Sequence, residues 1–380
     1  MKVNILGGGP AGLYAAYLLK RSNPDAAINV YEQNDAHSTF GFGVVFSDQA
    51  LEFLRANDEE TLEAITQGLE TWRDIELRIH GERIVIDGVG FTAIARLKLL
   101  EILRERALGV GAILHHQCVV KNLKDIDDAD LVIGADGVNS LVRQTFEEGF
   151  GASVEHFQNH FAWFGATCTF SRLTQTFKKV PQGFFNAHHY RYSPDMSTFL
   201  VEVDSATFQS IGFEHMSEEE SRQYCENVFA EELEGASLVM NKSHWRRFPR
   251  ISNARWSVGK YVIIGDALRT AHFSIGSGTR LALEDVQALT KAIAEHPQDI
   301  PAALASFEAQ RRPIGEKIVA AANRSAAWYD DFARHMQLPA WEFARSYISR
   351  SGRIDPERLR ANSPEFSAQY EAWRAKTAHT

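Results

Sequence analysis

A glycine-rich segment near the N-terminus constrains the fold of this chain more than any other feature. Residues 3–6 form a short apolar run, which predicts a buried parallel strand. The G-x-G-x-x-G pattern follows immediately as Gly7, Gly9 and Gly12, and apolar residues at helical spacing over residues 13–19 predict a helix directly after it. Strand, glycine turn and helix in this order indicate the start of a dinucleotide-binding fold.

The next predicted strand, residues 28–31, is followed by an acidic residue, Glu32. In such a unit Gly7 permits the tight turn, Gly9 lets the backbone approach a pyrophosphate, and Gly12 lets helix and strand pack closely. The diphosphate rests on N–H groups at the positive end of the helix, and Glu32 can accept hydrogen bonds from ribose hydroxyls. A glycine triplet alone also fits an ordinary turn, but the complete arrangement favours dinucleotide binding.

The overall composition argues against several classes of protein. The 380 residues suffice for two packed domains, and the net charge of −9 argues against a role on nucleic acid or on a membrane surface. Three scattered cysteines (Cys118, Cys168, Cys225) with no C-x-x-C pair argue against a metal cluster or a disulfide framework. No apolar run has the length of a membrane span and no secretory segment precedes the first strand, so we expect a cytoplasmic protein.

A second motif follows the apolar run at residues 131–133, which predicts another buried strand. Asp136 and Gly137 form a turn after this strand, and a helix that contains Ser140 and Arg143 begins soon afterwards. Ligands of open parallel sheets bind at the carboxyl ends of the strands. A D-G turn alone is common, but the arrangement with Ser140 and Arg143 indicates a cofactor site.

A third motif follows the predicted strand at residues 261–264. Gly265 and Asp266 come next, and a glycine-rich turn over residues 274–279 leads into a long predicted helix over residues 281–293. A turn at the start of a helix presents backbone N–H groups and the positive end of the helix dipole to an electron-rich ligand group.

Between these motifs lie two features that the sequence leaves open. Residues 40–47 place two glycines between large apolar residues, a pattern that fits backbone pressed against something flat and equally a strained turn under the core. A helix is predicted over residues 48–55. Arg96 stands at the start of another predicted helix, residues 95–107, where it could reach a cofactor phosphate or remain solvated.

From about residue 157 the chain becomes rich in aromatic, strand-like segments, and a hairpin is predicted within residues 72–90. The even positions of residues 184–192 share one strand face and are Asn186, His188, Tyr190 and Tyr192. Ser217 with Glu220 predicts a capped helix start. We therefore predict an α/β fold with a Rossmann-like nucleotide-binding domain, an inserted and mainly β substrate domain, and a helical C-terminal region.

The predicted domain division follows these segments. The discontinuous nucleotide-binding domain is predicted at residues 1–71, 91–150 and 257–325, the β domain at residues 72–90 and 151–256, and the helical tail at residues 326–380.

The densest basic and aromatic cluster of this acidic chain lies between residues 244 and 256. Its basic members are Arg246, Arg247, Arg250 and Arg255, and its tryptophans are Trp245 and Trp256. A solvated face explains such a cluster, and so does a phosphate-bearing substrate, because arginine binds phosphate through paired hydrogen bonds.

Taken together, the three motifs resemble the flavin-dependent aromatic hydroxylases, single-component FAD-containing monooxygenases with the p-hydroxybenzoate hydroxylase fold. The resemblance covers the chain to about residue 295. Many members carry His-x-x-Pro-Pro after the G-D-A motif, where this chain has Arg269, Thr270, Ala271, His272 and Phe273. That departure, together with residues 41–48, resembles a branch whose members hydroxylate salicylyl-CoA, anthraniloyl-CoA or a tryptophan-derived pigment precursor.

The resemblance implies FAD as cofactor and NADH or NADPH as co-substrate. The residues it implies for FAD binding are Gly7, Gly9, Pro10, Ala11, Gly12, Glu32, Gln33, Phe46, Arg96, Asp136, Gly137, Arg143, Gly265, Asp266, Ser274, Ile275, Gly276, Gly278 and Thr279. The residues expected at the substrate are Phe42, Val44, His272, Phe273, Arg246, Arg247 and Arg250, and no metal is expected. His188 and Tyr190 are candidates for the group that polarises a phenol or aniline.

The implied reaction is hydroxylation of an aromatic ring with NAD(P)H and O₂ through a flavin C4a-hydroperoxide. The expected substrate is a small aromatic molecule, with a salicylyl-CoA-like thioester hydroxylated at ring position 5 as the preferred form. An indole or tryptophan-derived substrate stays open, as does a flavin-linked reductase that does not activate oxygen. We expect a monomer or a homodimer.

Overall fold

The computed structural model describes residues 1–47 and 50–378, which form a parallel sheet, a large mixed sheet and a small three-stranded sheet. The strands are β1 (Lys2–Leu6), β2 (Ala27–Tyr31), β3 (Gly43–Ser47), β4 (Glu70–Trp72), β5 (Ile75–Ile79), β6 (Glu82–Ile86), β7 (Phe91–Ala95), β8 (Ile113–His115), β9 (Leu131–Gly134), β10 (Ala152–Ala166), β11 (Leu173–Val180), β12 (Gly183–Arg191), β13 (Ser197–Val203), β14 (Leu238–Val239), β15 (Arg246–Asn253), β16 (Ser257–Val258) and β17 (Tyr261–Ile263).

The α-helices lie between and after these strands. They are α1 (Pro10–Ser22), α2 (Glu52–Arg55), α3 (Glu59–Thr66), α4 (Arg96–Gly109), α5 (Leu141–Thr145), α6 (Glu147–Phe150), α7 (Ser205–Ile211), α8 (Glu218–Val228), α9 (Ala230–Leu233), α10 (Gly278–Glu295), α11 (Ile300–Asp330), α12 (Phe332–His335), α13 (Ala340–Ser349), α14 (Pro356–Asn362) and α15 (Pro364–Thr377). Within the described residues, none of these helices combines the length and the apolar character needed to cross a bilayer.

The first sheet has the strand order β8-β2-β1-β9-β17-β16, and all its pairs are parallel except β16 with β17. Its central strands β1 and β9 are mainly apolar and almost completely buried, as is typical of the inner strands of a parallel sheet. Helix α1 packs between α4 and α10, so its residues from Ala11 to Leu19 are all buried. The predicted Rossmann-like α/β fold is confirmed.

The second sheet has the order β14-β10-β13-β12-β11-β5-β6, and β15 pairs with β10. The predicted hairpin of residues 72–90 is confirmed as β5 and β6, which join this sheet because β5 runs parallel to β11. Its turn places His80 and Gly81 at positive φ, as a tight two-residue hairpin turn requires. Strand β11 had no sequence prediction, because buried polar residues such as Gln175 hide its pattern.

The C-terminal helices complete a second hydrophobic core. Phe332, Phe343 and Tyr347 pack with Leu77 of β5 and Phe177 of β11 in one buried cluster. This helical C-terminal region is confirmed. Helix α11 runs without interruption across the predicted border between residues 325 and 326, and the domain boundaries themselves stay a prediction.

Asp87, which follows β6, fastens the last helix to this core. Its carboxylate accepts hydrogen bonds from the backbone N–H groups of Glu365 at 3.2 Å and Phe366 at 2.8 Å. These N–H groups belong to the first turn of α15 and have no partner within the helix, so Asp87 acts as a cap supplied from a distant part of the chain.

The helix predicted over residues 48–55 is described only in part. Its described part is α2, which begins at Glu52, and the predicted start at Asp48 lies outside the described residues.

Candidate active site

Four adjacent parallel strands bring the three motifs to one edge of the sheet. Glu32 follows β2, Gly7 follows β1, Asp136 comes after β9, and Gly265 comes after β17. Because these strands are neighbours and run in the same direction, their carboxyl ends meet. The structure therefore collects motifs that are up to 258 positions apart in sequence.

The glycines of the first motif have three different surroundings. Gly7 has a φ of +106°, and a Cβ there would lie 2.3 Å from the carbonyl oxygen of Ala135. A Cβ at Gly12 would lie 1.9 Å from the carbonyl oxygen of Gly7, because α1 packs tightly on the loop. Gly9 has no heavy atom within 4 Å of the place of a Cβ, so the backbone there is open to a ligand. Pro10 starts α1.

Glu32 closes the glycine loop. Its Oε2 accepts a hydrogen bond from the Gly8 N–H at 2.7 Å, and its Oε1 accepts from the backbone and side-chain nitrogens of Asn34 at 2.8 and 2.7 Å. Gln33 next to it is exposed. The ribose contact of Glu32 stays a prediction, and the residue has a structural role in addition.

The D-G motif caps α5. Asp136 Oδ2 accepts from the Leu141 N–H at 2.6 Å, whereas its Oδ1 is buried without a partner among the described residues. Burial raises the pKa of this carboxyl group. Ser140 Oγ accepts from the Arg143 N–H at 3.1 Å.

Arg143 joins the second motif to the third. Its buried guanidinium donates to the carbonyl of Ala267 at 2.9 Å and to that of Val138. Gly265, at the start of the third motif, lies against Ala11 of α1. Arg143 thus positions the G-D-A segment, and its direct contact with a cofactor stays a prediction.

The turn before α10 lies against β3. Residues Phe273–Ile275 form a 3₁₀ turn, Gly276 has a φ of +60°, and a Cβ there would lie 3.3 Å from the Val45 carbonyl oxygen. Helix α10 begins at Gly278 and includes Thr279. The predicted cofactor turn, residues 274–279, is therefore a neighbour of residues 42–46, which contain the predicted FAD residue Phe46 and the predicted substrate residues Phe42 and Val44.

Arg96 and Asp266 line the same cleft. The Arg96 N–H donates to the Phe42 carbonyl at 2.8 Å, and its Nε donates to Thr39 Oγ1 at 3.1 Å. Burial raises the pKa of Asp266, and the charge of Arg96 partly offsets this. The Asp266 side chain is nevertheless accessible to solvent, as expected for a carboxylate on the wall of a deep cleft.

The glycines of residues 40–47 press against protein rings. A Cβ at Gly41 would lie 3.0 Å from the indole of Trp163, and one at Gly43 would lie 2.6 Å from Tyr192 Cβ. The flat neighbour of Gly41 is thus an indole of the protein. Phe46 is fully buried in the core and Val44 is nearly so.

His188 belongs to a buried polar chain. The Tyr329 hydroxyl donates to Gln175 Oε1 at 3.2 Å, and Gln175 Nε2 lies 3.0 Å from His188 Nδ1. His188 Nε2 lies 3.3 Å from Glu202 Oε2, and Asn159 Nδ2 donates to Glu202 Oε1 at 2.9 Å. Both ring nitrogens of His188 are therefore engaged within the protein.

Burial shifts the pKa values of this chain in opposite directions. It lowers the pKa of His188 to about 3, with a further contribution from the positive charge of Arg350, and it raises the pKa of Glu202 to about 7. His188 is neutral at pH 7, so the Gln175 amide donates to Nδ1 and the Nε2–H donates to Glu202.

The second predicted catalytic residue, Tyr190, is also tied down. Its hydroxyl donates to the Gly43 carbonyl at 3.1 Å, and burial raises its pKa. Tyr190 thus supports the segment that runs along the cleft, and the catalytic roles of His188 and Tyr190 stay predictions.

Aromatic rings surround the side of the cleft next to the turn. Phe273 lies 5.1 Å from Phe161, 5.6 Å from Phe248 and 5.2 Å from His188 between ring centroids. His272 is buried, and its Nδ1 lies 2.9 Å from Ser274 Oγ. These rings form an apolar cluster beside the turn, and their contact with a substrate ring stays a prediction.

The arginines of the predicted basic cluster lie in different places in the structure. Arg246 and Arg247 line a cavity of about 640 Å³ together with Trp245 and three histidines. Arg250 instead pairs with Glu155 at 3.3 Å, and Arg255 donates to the Glu148 carbonyl at the far end of β15. The cavity is lined by His156, His160, Phe208, Phe213, Glu214, Met216, Glu218, Ser221, Ser243, His244, Trp245, Arg246 and Arg247. Trp256 is a core residue packed on Phe307.

Sequence reasoning missed several residues of this region. Gln175, Glu202 and Asn159 lie on three different strands, and Arg350 reaches the turn from the C-terminal helices. No local pattern marks them, because each acquires its partner only through the tertiary structure. Among residues 1–47 and 50–378, no group of three or more His, Cys, Asp or Glu side chains is arranged to hold a metal ion.

Comparison with known proteins agrees with this geometry. A family model described as an FAD binding domain matches residues 117–322. The chain is 39% identical to a salicyloyl-CoA 5-hydroxylase from Streptomyces sp, over 98% of this chain and 74% of that protein. It is 35% identical to a 3-hydroxy-4-methyl-anthranilyl-[aryl-carrier protein] 5-monooxygenase from Streptosporangium sibiricum, over 93% of this chain and 95% of that protein.

Two further similarities concern the branch and the fold. The chain is 33% identical to a protodeoxyviolaceinate monooxygenase from Chromobacterium violaceum, over 94% of this chain and 96% of that protein. The crystal structure of a 2-methyl-3-hydroxypyridine-5-carboxylic acid oxygenase mutant superposes with a TM-score of 0.70 at 18% identity, covering 95% of this chain and 96% of the other. This last similarity supports the fold alone.

Proposed function

The chain belongs to the FAD-dependent aromatic monooxygenases, and from this premise we propose that its substrate is an aromatic acid bound as a thioester. FAD is the cofactor, and NAD(P)H is the co-substrate typical of these hydroxylases. The balanced reaction converts the ring C–H, O₂, NAD(P)H and one proton into the ring C–OH, water and NAD(P)⁺. FAD, when bound, supplies the electron transfer and the oxygen activation.

The names of two relatives support a ring with an electron-donating group next to the acyl carbon. Salicyloyl carries a hydroxyl at ring position 2 and anthranilyl an amino group there, and both named reactions occur at position 5. Position 5 is para to position 2, so the donor enriches the attacked carbon in electrons. We infer a 2-hydroxy- or 2-aminobenzoyl thioester that is hydroxylated at position 5.

The observation that carries the thioester proposal is the cavity beside β15. The Arg246 guanidinium lies 5.3 Å from the Phe161 ring centroid and forms no ion pair with a carboxylate of the described residues. The side chain is exposed to solvent in the cavity, so its charge is available to a bound anion. Arg247 donates to the Phe157 carbonyl at 2.8 Å, which holds it on the same wall.

The two arginines of this cavity suit the phosphate groups of a thioester carrier better than the single carboxylate of a free acid. Arginine binds phosphate by paired hydrogen bonds, and a chain with net charge −9 requires a local basic site for a polyanionic substrate. His244, whose Nδ1 lies 3.0 Å from Glu218, lines the same cavity. The carrier end of the thioester would bind here.

Aromatic contacts connect the wall of this cavity with the turn before α10. Arg246 stacks on Phe161, and Phe161 lies 5.1 Å from Phe273, the residue before Ser274. A carrier bound at Arg246 could therefore place its aromatic acyl group beside the 274–279 turn. The rings of Phe161 and Phe273 would orient that group and exclude water.

The proposed FAD site lies along the four strand ends. The diphosphate would bind at Gly9 and the start of α1, the ribose at Glu32, and the flavin beside the adjoining segments 42–46 and 274–279. The open space at Gly9 and the solvent-accessible Asp266 support this placement. Arg96 would face the cofactor from the other wall.

The cavity is tested by a double substitution, Arg246→Gln with Arg247→Gln. The KM for salicyloyl-CoA should rise about tenfold, equivalent to about 1.4 kcal/mol, while the FAD content stays that of the parent. The difference should shrink as salt rises, because exposed charges are screened. Steady-state NAD(P)H oxidation measures both effects.

The matched control is Arg250→Gln with Arg255→Gln, which removes the same charge from residues outside the cavity. We expect this control to keep the KM of the parent. Equal KM changes in both variants, or preferred turnover of free salicylate or of a tryptophan-derived substrate, would contradict the thioester proposal.

A further inference from the structure

The C-terminal helices reach back to the turn that precedes α10. Arg350 ends α13, and its Nη2 donates to the Ser274 carbonyl at 2.8 Å. Its Nη1 donates to the Tyr347 carbonyl at 2.9 Å. One guanidinium therefore binds the backbone of both the C-terminal region and the turn, which are 76 positions apart in sequence.

The Arg350 side chain is held in place by rings. Its guanidinium carbon lies 3.9 Å from the Tyr347 ring centroid and 5.6 Å from that of Tyr329. Both tyrosines are buried, and Phe343 anchors α13 in the same core. Because this packing fixes the backbone from which Arg350 extends, its guanidinium can hold the turn in one position.

The Ser274 carbonyl is one of three restraints on the turn. Ser274 Oγ lies 2.8 Å from Ser325 Oγ of α11 and 2.9 Å from His272 Nδ1. No cis peptide bond occurs in the described chain, so the carbonyl of Ser274 and the N–H of Ile275 point in opposite directions across one planar unit. A hydrogen bond that fixes the carbonyl thus also fixes the direction of the N–H.

The charge of Arg350 also acts on this region. Burial is the largest cause of the low pKa of His188, and the charge of Arg350 is the second. For His272 burial again lowers the pKa most, followed by the charges of His188 and Arg350. Its positive field therefore reaches the rings beside the turn.

We propose that Arg350 is a positioning residue for the flavin: it orients the 274–279 turn through the Ser274 carbonyl and places a positive charge behind it. The proposal rests on the placement of FAD against this turn given above. Reduced flavin carries negative charge at the N1/O2 edge, so a turn oriented in this way and backed by a cation favours the reduced cofactor.

The test uses Arg350→Met and Arg350→Lys. Arg350→Met removes charge and hydrogen bonds, and should weaken FAD binding about tenfold, change the visible flavin spectrum and make the flavin midpoint potential more negative. Arg350→Lys keeps the charge but not the planar fork, so its potential should lie closer to that of the parent while FAD binding stays weakened.

The matched control is Arg324→Met. Arg324 Nε donates to the Ser351 carbonyl at 2.9 Å, so this change removes a similar tie to the C-terminal region without touching the turn. It should leave the flavin spectrum and the midpoint potential unchanged. Thermal unfolding of each apoprotein reports folding, and if Arg350→Met does not fold, Arg350→Lys carries the test.

The outcomes separate this proposal from the placement on which it depends. If both Arg350 variants keep the flavin spectrum, affinity and potential of the parent while Gly276→Val alters them, the role of Arg350 is overturned. If Gly276→Val leaves the flavin unaffected as well, the placement of FAD at the turn fails. No substrate enters these measurements, so they do not depend on the thioester proposal.

Discussion

At the scale of single residues, the buried pair of His188 and Glu202 shows how the fold sets protonation. Neither side chain reaches water, and each is bonded within the sheet, to Gln175 and to Asn159 respectively. Burial disfavours the charged form of both groups, which moves the pKa of the histidine down and that of the carboxyl group up. Below neutral pH, where Glu202 retains its proton and His188 is neutral, the pair therefore adds no charge beside the apolar lining of the proposed ring site.

This protonation state gives a stability prediction for Glu202→Gln. The pKa of Glu202 is about 7 in the folded protein against 4.5 ordinarily, so between these pH values the folded chain retains a proton that the unfolded chain has lost. The free energy of unfolding of the parent therefore falls relative to the variant as pH rises from about 4.5 to about 7, by roughly 3 kcal/mol.

Denaturant unfolding of both proteins across this pH range measures the difference. Glu219→Gln is the control, because hydrogen bonds from Arg222 lower the pKa of Glu219 to about 2, so in the folded protein its ionisation does not change in this window. The assignment is wrong if the Glu202→Gln and parent profiles run parallel.

At the scale of elements, the turn before α10 combines backbone conformation with close packing. Gly276 adopts a left-handed φ of +60° and faces the Val45 carbonyl of β3. A side chain at this position would strain the turn and separate it from β3. The sequence predicted that the turn serves a ligand, and the structure adds the strand against which it is set.

We predict that Gly276→Val abolishes or strongly weakens FAD retention, because both the N–H groups of the turn and its distance to Val45 change. Its matched control is Gly259→Val, whose φ of +58° requires similar backbone strain but whose Cβ would meet no atom within 4 Å. Both variants should lose stability by about 1–3 kcal/mol, and only Gly276→Val should lose flavin. Equal flavin content in the two purified proteins would contradict this prediction.

At the scale of the whole molecule, the sequence predicts most of what is local. The G-x-G-x-x-G unit, the parallel strands and the capping box of Ser217 with Glu220 are confirmed, because each depends on neighbouring residues. Strand β11 escaped prediction because Thr176 and Gln175 are polar and buried, with partners such as His189 on the adjacent strand. Burial of that kind depends on strand order, which local periodicity does not encode.

The candidate site shows the same contrast between local features, which the sequence predicts, and tertiary contacts, which it does not. The strand-end motifs were identified from spacing, whereas the link from Arg350 to Ser274 and the separation of Arg246 from Arg255 depend on tertiary structure. A cluster that is dense in sequence spreads along β15, because a strand advances about 3.3 Å for every residue.

The central claim is that the cofactor site and the basic cavity serve one reaction, hydroxylation of an aryl thioester. Its most direct test is turnover of salicyloyl-CoA with NAD(P)H under ¹⁸O₂, with mass spectrometry of the product. We predict that one ¹⁸O atom enters the ring for each NAD(P)H consumed and that free salicylate gives little product. Product without ¹⁸O, NAD(P)H oxidation that releases only hydrogen peroxide, or equal hydroxylation of free salicylate would contradict the account.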